Sequence, residues 1–173
     1  KKQQLQDCYR DWARLQIPLY ALDKAISRYE TTRQPRVIRA AEDVFTRITG
    51  GVYTAIIKPI DSDTLQVRDT RGLSKDVTEM SRGTKEQLYL AMRLGLIKEY
   101  EQRSEPMPVV MDDILVNFDD ERAPLAVKAL AEFARDRQVI VLTCHKNTLG
   151  LYKRAGATEV AVEQSDRRTP TLF

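Results

Sequence analysis

Only two cysteines, Cys8 and Cys144, occur in the 173 residues, and they lie far apart, so no disulfide framework staples this chain and a reducing cytosol suits it. There is no signal peptide, and no apolar run approaches membrane-spanning length, so the expectation is a cytoplasmic chain with no membrane partner. No internal repeat or low-complexity tract is present. Charge of one sign is scarce as well: the formal net charge is +3, which permits a nucleic-acid surface without demanding one. The seven glycines include no Gly-Lys pair. The loop G-x-x-x-x-G-K-[ST], whose backbone N–H groups cradle nucleotide phosphates, is therefore missing. The chain begins without Met, inside a polar helical pattern, as a piece of a longer protein would.

What is present suffices for one sizeable core, since 42% of the residues are hydrophobic and 31% charged. Leu5, Trp12, Leu19 and Ile26 recur every seven residues, with Cys8, Leu15, Leu22 and Tyr29 three positions later. Residues 1–30 thus read as the end of a coiled-coil arm whose partner strand lies elsewhere, or as an amphipathic helix packed on its own domain. Pro18 lacks a backbone donor and should kink or interrupt that helix. A second amphipathic helix follows from Pro35 to about Thr49, closed by Gly50-Gly51. Strands at 52–58 and 64–68, with a short one near Val77, form an antiparallel meander.

From Ser81 onward the pattern changes to alternating helix and strand. A buried helix runs to about Gln102, a strand covers 108–112, a helix spans Asp119 to about Arg135, and a strand covers 138–143. A short helix follows His145, a last strand lies near 158–162, and 165–173 is a polar tail. The fold class is α/β, a parallel sheet flanked by helices with a small antiparallel meander.

Three stretches carry chemistry. In PVVMDDILVNFDD, an apolar strand ends abruptly in Asp112 and Asp113, and ligands sit beyond the carboxyl ends of strands in open α/β sheets. Those acids either hold a metal and a water or, with Asp119 and Asp120, start the next helix. In MSRGTKEQ, Ser81, Arg82, Gly83, Thr84 and Lys85 set hydroxyls, cations and free N–H groups at a helix N-terminus, which is either a phosphate site or ordinary capping. Gly83 costs about 1 kcal/mol in a helix against Ala, which makes sense if something approaches its backbone closely. The only histidine, His145, follows the strand VIVL, where it can orient a water or serve as a helix cap.

The order MSRGTKEQLYLAMRL, PVVMDDILVNFDDER and VIVLTCH resembles the C-terminal lobe of ABC-type ATPase heads in the SMC-like family, arm-bearing ATPases of chromosome maintenance and double-strand-break repair. Its wording is most similar to the bacterial YhaN-like branch. The resemblance covers roughly residues 35–163. It implies a signature motif at Met80-Ser81-Arg82-Gly83-Thr84 that contacts the γ-phosphate held by an opposing head. It implies a Walker B aspartate at Asp112, which holds Mg²⁺ through water, and a water-polarising carboxylate at Asp113. It further implies a D-loop at Val116-Asn117-Phe118-Asp119 and a γ-phosphate-sensing switch at His145. Arg82 stands where the family usually has Gly, and Asp113 where it usually has the longer Glu.

The implied cofactors are ATP and Mg²⁺, both needing an N-terminal lobe with the P-loop. The implied partners are that lobe (31–164 being the C-terminal one), a second head in a nucleotide-dependent homodimer, and DNA. On this reading the chain is half of an ATP hydrolase and inactive alone. Residues 1–47 carry ten Lys or Arg against six Asp or Glu, a modest basic bias that a solvated helix would also show. Two alternatives remain open: a non-catalytic arm-end or dimerisation module, and a Toprim-like nuclease in which paired acids bind two metals.

Overall fold

A computed structural model describes residues 9, 10, 12, 14–22, 24, 25, 35–59, 62–102 and 104–162. The described part of the first segment is helical, and Pro18 does not interrupt it, because residues 14–22 are helical throughout. The proline ring already fixes φ near the helical value, so what is lost is the hydrogen bond its N–H would have made. Trp12, Leu15, Leu19 and Leu22 are all more than half exposed, so these heptad positions are not buried against the described core. Leu5, Cys8, Ile26 and Tyr29 lie outside the described residues.

The core begins with α1 (Arg36–Ile48), where Ile38, Ala41, Val44, Phe45 and Ile48 line one face. The Gly50 and Gly51 φ angles of 62° and 81° turn the chain sharply into a meander, as the Gly-Gly stop predicts. Strands β1 (Tyr53–Ile57), β2 (Gln66–Asp69) and β3 (Ser74–Asp76) pair antiparallel in that order. The third strand lies just before Val77, because Asp76 accepts from the Thr78 N–H and starts a 3-10 turn there.

α2 (Arg82–Glu101) packs along α1 and buries Leu88, Leu90, Ala91 and Leu94. Its burial is less complete than its composition suggests. Tyr89, Leu96 and Tyr100 are exposed, since they lie at i, i+7 and i+11 on the side that no other described element covers. Near its end, Glu101 pairs with Arg137, whose guanidinium stacks on Phe133. That largely buried pair places the end of α2 beside the start of the parallel sheet.

The sheet consists of β4 (Val109–Asp112) and β5 (Val139–Leu142), linked through α3 (Arg122–Phe133) and followed by α4 (Lys146–Arg154). Met111, Val109, Val139 and Val141 face the core. The other face is open, with Val110, Ile140 and Leu142 exposed by 63%, 40% and 45%, so these strands are not buried on both sides as their apolar runs suggest. No strand forms at 158–162; Val160 and Val162 are exposed, and an extended segment that pairs with no neighbour has no ladder to hold it as a strand.

Gly95 sets the distance between the two central helices. A Cβ there would lie 2.7 Å from both Ala41 N and Val37 O, backbone atoms of α1 that cannot turn away. Gly95→Ala should therefore destabilise the chain by about 1–3 kcal/mol through overpacking, despite the gain of up to ~1 kcal/mol in helix propensity. Urea denaturation checks this, with a lower midpoint at an unchanged slope as the expected outcome.

Candidate functional site

Parallel pairing aligns Val109 with Val139 and Asp112 with Leu142, so both strands end at one edge. Asp112 and Asp113 leave β4 there as Thr143, Cys144 and His145 leave β5. The Asp113 N–H donates to the Leu142 carbonyl at 2.9 Å, and its φ is +43°, the only positive φ at a non-glycine residue among those described. Asp tolerates this left-handed region better than most residues. Because the backbone turns at this point, successive carboxylates go to different places. Asp112 is exposed and makes no side-chain bond to a described residue, whereas Asp113 turns toward β5.

Around Asp113 three groups converge. Cys144 Sγ donates to Asp113 Oδ2 at 3.6 Å, and His145 Nε2 stands 3.9 Å from the same oxygen. The Thr143 hydroxyl is the main cause holding the Asp113 carboxyl below the usual carboxylate range; partial burial opposes it, and the Cys144 thiol and His145 reinforce it. Asp113 is thus ionised at neutral pH, and whatever stability this contributes is present above the unfolded carboxylate range and lost as pH falls below it. Asp113 Oδ1 is enclosed and meets no hydrogen-bond donor among the described residues. His145 occupies the N-cap position of α4, yet its ring does not cap the helix and is left to Asp113.

The second part of the site is the N-terminus of α2. Ser81 caps it, accepting from the Thr84 N–H at 3.3 Å, with the two hydroxyls 2.8 Å apart. Lys85 Nζ donates to the Thr78 carbonyl at 2.9 Å, so of the two cations only Arg82 is widely exposed, paired with Glu86 at 3.3 Å. The close approach that Gly83 permits is made by this chain's own loop: a Cβ there would lie 3.0 Å from the Asn117 carbonyl.

The loop 113–121 links the two parts. At one end is Asp113; in the middle, Asn117 Nδ2 donates to Glu86 Oε1 at 2.8 Å. At the far end Asp119 accepts from the N–H groups of Glu121 and Arg122 at 3.2 and 2.8 Å, the helix-starting role left open by the sequence. Arg122 in turn reaches Thr84 at 3.3 Å and the buried Gln87 at 3.4 Å. Asp119 is thereby committed to a helix start, away from Asp112 and Asp113. The four acids do not gather into a two-metal cluster among the described residues. Beside the loop lies an open cleft of about 440 Å³ whose lining includes Leu115, Phe118, Asp120, His145, Lys146 and Asn147.

Sequence reasoning passed over Cys144, Thr143, Glu86, Arg122 and Tyr152. Cys144 stood beside His145 in plain view, and Tyr152 sits seven residues further on, two helical turns along the same face.

No protein-family model matches the chain. Uncharacterized protein YhaN of Bacillus subtilis is 28% identical over 148 residues, 85% of this chain and 15% of that protein's length. An SMC ATPase studied for ATP-driven dimerization and DNA-stimulated activation superposes with a TM-score of 0.60 at 18% identity, covering 76% of this chain and 78% of that one. The SMC head domain from Thermotoga maritima gives 0.52 at 19% identity, covering 76% and 44%. The Smc head domain of Pyrococcus furiosus, bound to the C-terminal domain of ScpA, gives 0.51 at 17% identity, covering 67% and 30%. In fold the chain resembles SMC ATPase head domains, and in sequence it resembles part of YhaN. The chain spans only 15% of the curated relative's length, and its mixed α/β architecture is shared with the solved head domains.

Tyr152 lies close to the carboxylate site. Burial, with Asp113 nearby, pushes its hydroxyl up to about 12, and that hydroxyl has no partner among the described residues. A folded-state value above the unfolded one near 10 means that stability falls as pH rises from about 10 to about 12. Tyr152→Phe should be neutral or slightly stabilising at pH 7, because an unsatisfied group is removed, and should flatten that alkaline loss. Paired denaturation curves of both proteins across this pH range test the difference.

Proposed function

We propose that this chain supplies the C-terminal lobe, residues 31–164, of a split SMC-like ATP-hydrolysing head, with 1–30 as the end of its arm and 165–173 as a polar tail. Mg²⁺-bound ATP would sit between two engaged heads, and its hydrolysis would be coupled to head and arm movement on DNA, in the cytoplasm. The observation that carries this reading is the meeting of Asp112, Asp113 and His145 at one sheet edge, with His145 Nε2 3.9 Å from Asp113 Oδ2. The order of those residues along the chain fits the resemblance. The open sheet face at Val110, Ile140 and Leu142 supports a missing lobe, because parallel sheets are ordinarily covered on both faces.

The residues present fit the cation. Asp112 is an exposed carboxylate with no described side-chain partner, the hard oxygen donor that hydrated Mg²⁺ takes. When bound, Mg²⁺ would neutralise charge on the phosphates. The phosphate cradle itself is absent from this chain, so ATP needs the other lobe.

Each group then has a task. Ser81, Arg82, Gly83 and Thr84, with Lys85 behind them, present a capped helix start to the γ-phosphate of the opposing head. Asn117 and Asp119 hold the loop between that helix and Asp113. Asp113 orients the attacking water, and His145 donates to the γ-phosphate or positions that water beside it. The lowered carboxyl of Asp113 makes it a weak base at neutral pH. Slow turnover suits a clamp, in which the bound state does the holding.

The test is Mg²⁺-dependent ATP hydrolysis by this chain alone and reunited with the N-terminal segment of its parent. Turnover is expected only in the reunited form. Asp113→Asn, whose side chain also tolerates the left-handed backbone, should keep the fold and lower turnover about 10²- to 10⁴-fold. Turnover by the chain alone would overturn the need for a second lobe. No turnover in either form would favour the arm-end module.

A further inference from the structure

We propose that Asp113, Cys144 and His145 form a site for a thiophilic divalent cation of the Zn²⁺ class, and that its occupancy withdraws Asp113 and His145 from the water they would otherwise orient. The first half stands on geometry alone; the second rests on the ATPase reading above.

One ligand atom from each of the three residues lies within 4.8 Å of the others. Two of the separations are 3.6 Å from Cys144 Sγ to Asp113 Oδ2 and 3.9 Å from His145 Nε2 to the same oxygen. Tetrahedral Zn²⁺, with bonds of about 2.0 Å to oxygen and nitrogen and about 2.3 Å to sulfur, sets neighbouring ligand atoms roughly 3.3–3.6 Å apart. Side-chain shifts of up to about 0.6 Å close these two edges, and a rotation of the exposed imidazole or thiol sets the third.

Donor chemistry selects the ion. A thiolate and an imidazole beside one carboxylate suit Zn²⁺ and its neighbours, whereas Mg²⁺ prefers oxygen donors in an octahedron. Asp112 remains available for Mg²⁺. The backbone is already committed to this arrangement, because Asp113 is tied to Leu142 on the strand that delivers Cys144 and His145. Cys144 and His145 are exposed, which opens an entry path and leaves a fourth position to water. On binding, the thiol proton passes to solvent and the thiolate takes its place on the metal, so affinity should rise with pH.

The experiment uses the chain with Cys8→Ser, in which Cys144 is the only thiol, titrated with Co²⁺ as a coloured substitute and then with Zn²⁺. Expected is one equivalent of Co²⁺ with a thiolate-to-metal charge-transfer band, displaced by Zn²⁺. Adding Cys144→Ser should abolish the band. His145→Gln should weaken binding by more than the ~10- to 100-fold typical of losing an outer-shell partner. Circular dichroism of each variant confirms that it is folded. No thiolate band, or one that survives Cys144→Ser, would overturn the site.

For the regulatory half, the reunited head should lose its Mg²⁺-dependent turnover at stoichiometric Zn²⁺, whereas with Cys144→Ser the ratio of turnover with and without Zn²⁺ should return to about one, whatever that variant's own rate. Turnover indifferent to bound Zn²⁺ would overturn the switch. A head that never hydrolyses ATP while the Co²⁺ band is intact would sink the ATPase reading and the switch built on it, leaving the metal site standing.

Discussion

The parallel register of β4 and β5 is the constraint from which the candidate site follows. Side chains on a strand alternate faces, so a slip of one residue would carry Asp113 to the far side and separate it from Cys144 and His145. The hydrogen bond from Asp113 N–H to Leu142 extends the pairing one residue beyond the strand and holds the turned backbone at φ +43°. A left-handed residue costs energy unless its surroundings determine it. Here the neighbouring strand supplies that determination, and a carboxylate that would otherwise continue into solvent is aimed sideways.

A second constraint joins this edge to the N-terminus of α2. The Asn117 carbonyl approaches Gly83 too closely to admit a side chain without displacement, while Asn117 and Arg82 share the Glu86 carboxylate. Arg122, the first residue of α3, reaches back to Thr84 and Gln87. Hydrogen bonds of this kind contribute only about 0.5–1.5 kcal/mol each. Their value is positional: the loop between Asp113 and α3 is held against the helix start at several points, so neither end moves independently. Arg82 is paired with Glu86, while Ser81 caps the Thr84 N–H at the same helix start.

What the lobe leaves uncovered is as informative as its core. Phe45, Ile48, Ile56, Val67, Leu88 and Leu94 are wholly enclosed around the α1–α2 contact, which is enough to define a packed centre. Yet one sheet face, the Tyr89–Leu96–Tyr100 side of α2, and Trp12, Leu15, Leu19 and Leu22 of the first helical segment all present apolar surface. At roughly 25 cal/mol per Å² of apolar area, covering such surface is worth several kcal/mol, which is large against the net stability of a small domain. A chain with that much open apolar surface is suited to association.

Local chemistry was legible from sequence where a residue's role depends on its neighbours in the chain: Gly50-Gly51 stopping a helix, Ser81 capping one, the apolar period of α1, and a strand ending in two acids. The same local logic placed His145 and Asp113 at strand ends, and motif order carried the resemblance to SMC-like heads. Tertiary structure alone decided which neighbour each group meets. Gly95 looked like an ordinary weak helix residue until α1 came within 2.7 Å of its missing Cβ. Gly83 suggested an approaching ligand, and the approach belongs to Asn117. Residues 158–162 had strand composition but no partner to pair with, and β4 and β5 had buried composition but only one covered face. Contacts between segments distant in sequence depend on register and helix separation, which no local pattern encodes. For that reason the Asp113–Cys144–His145 cluster became visible only once two strands were laid side by side.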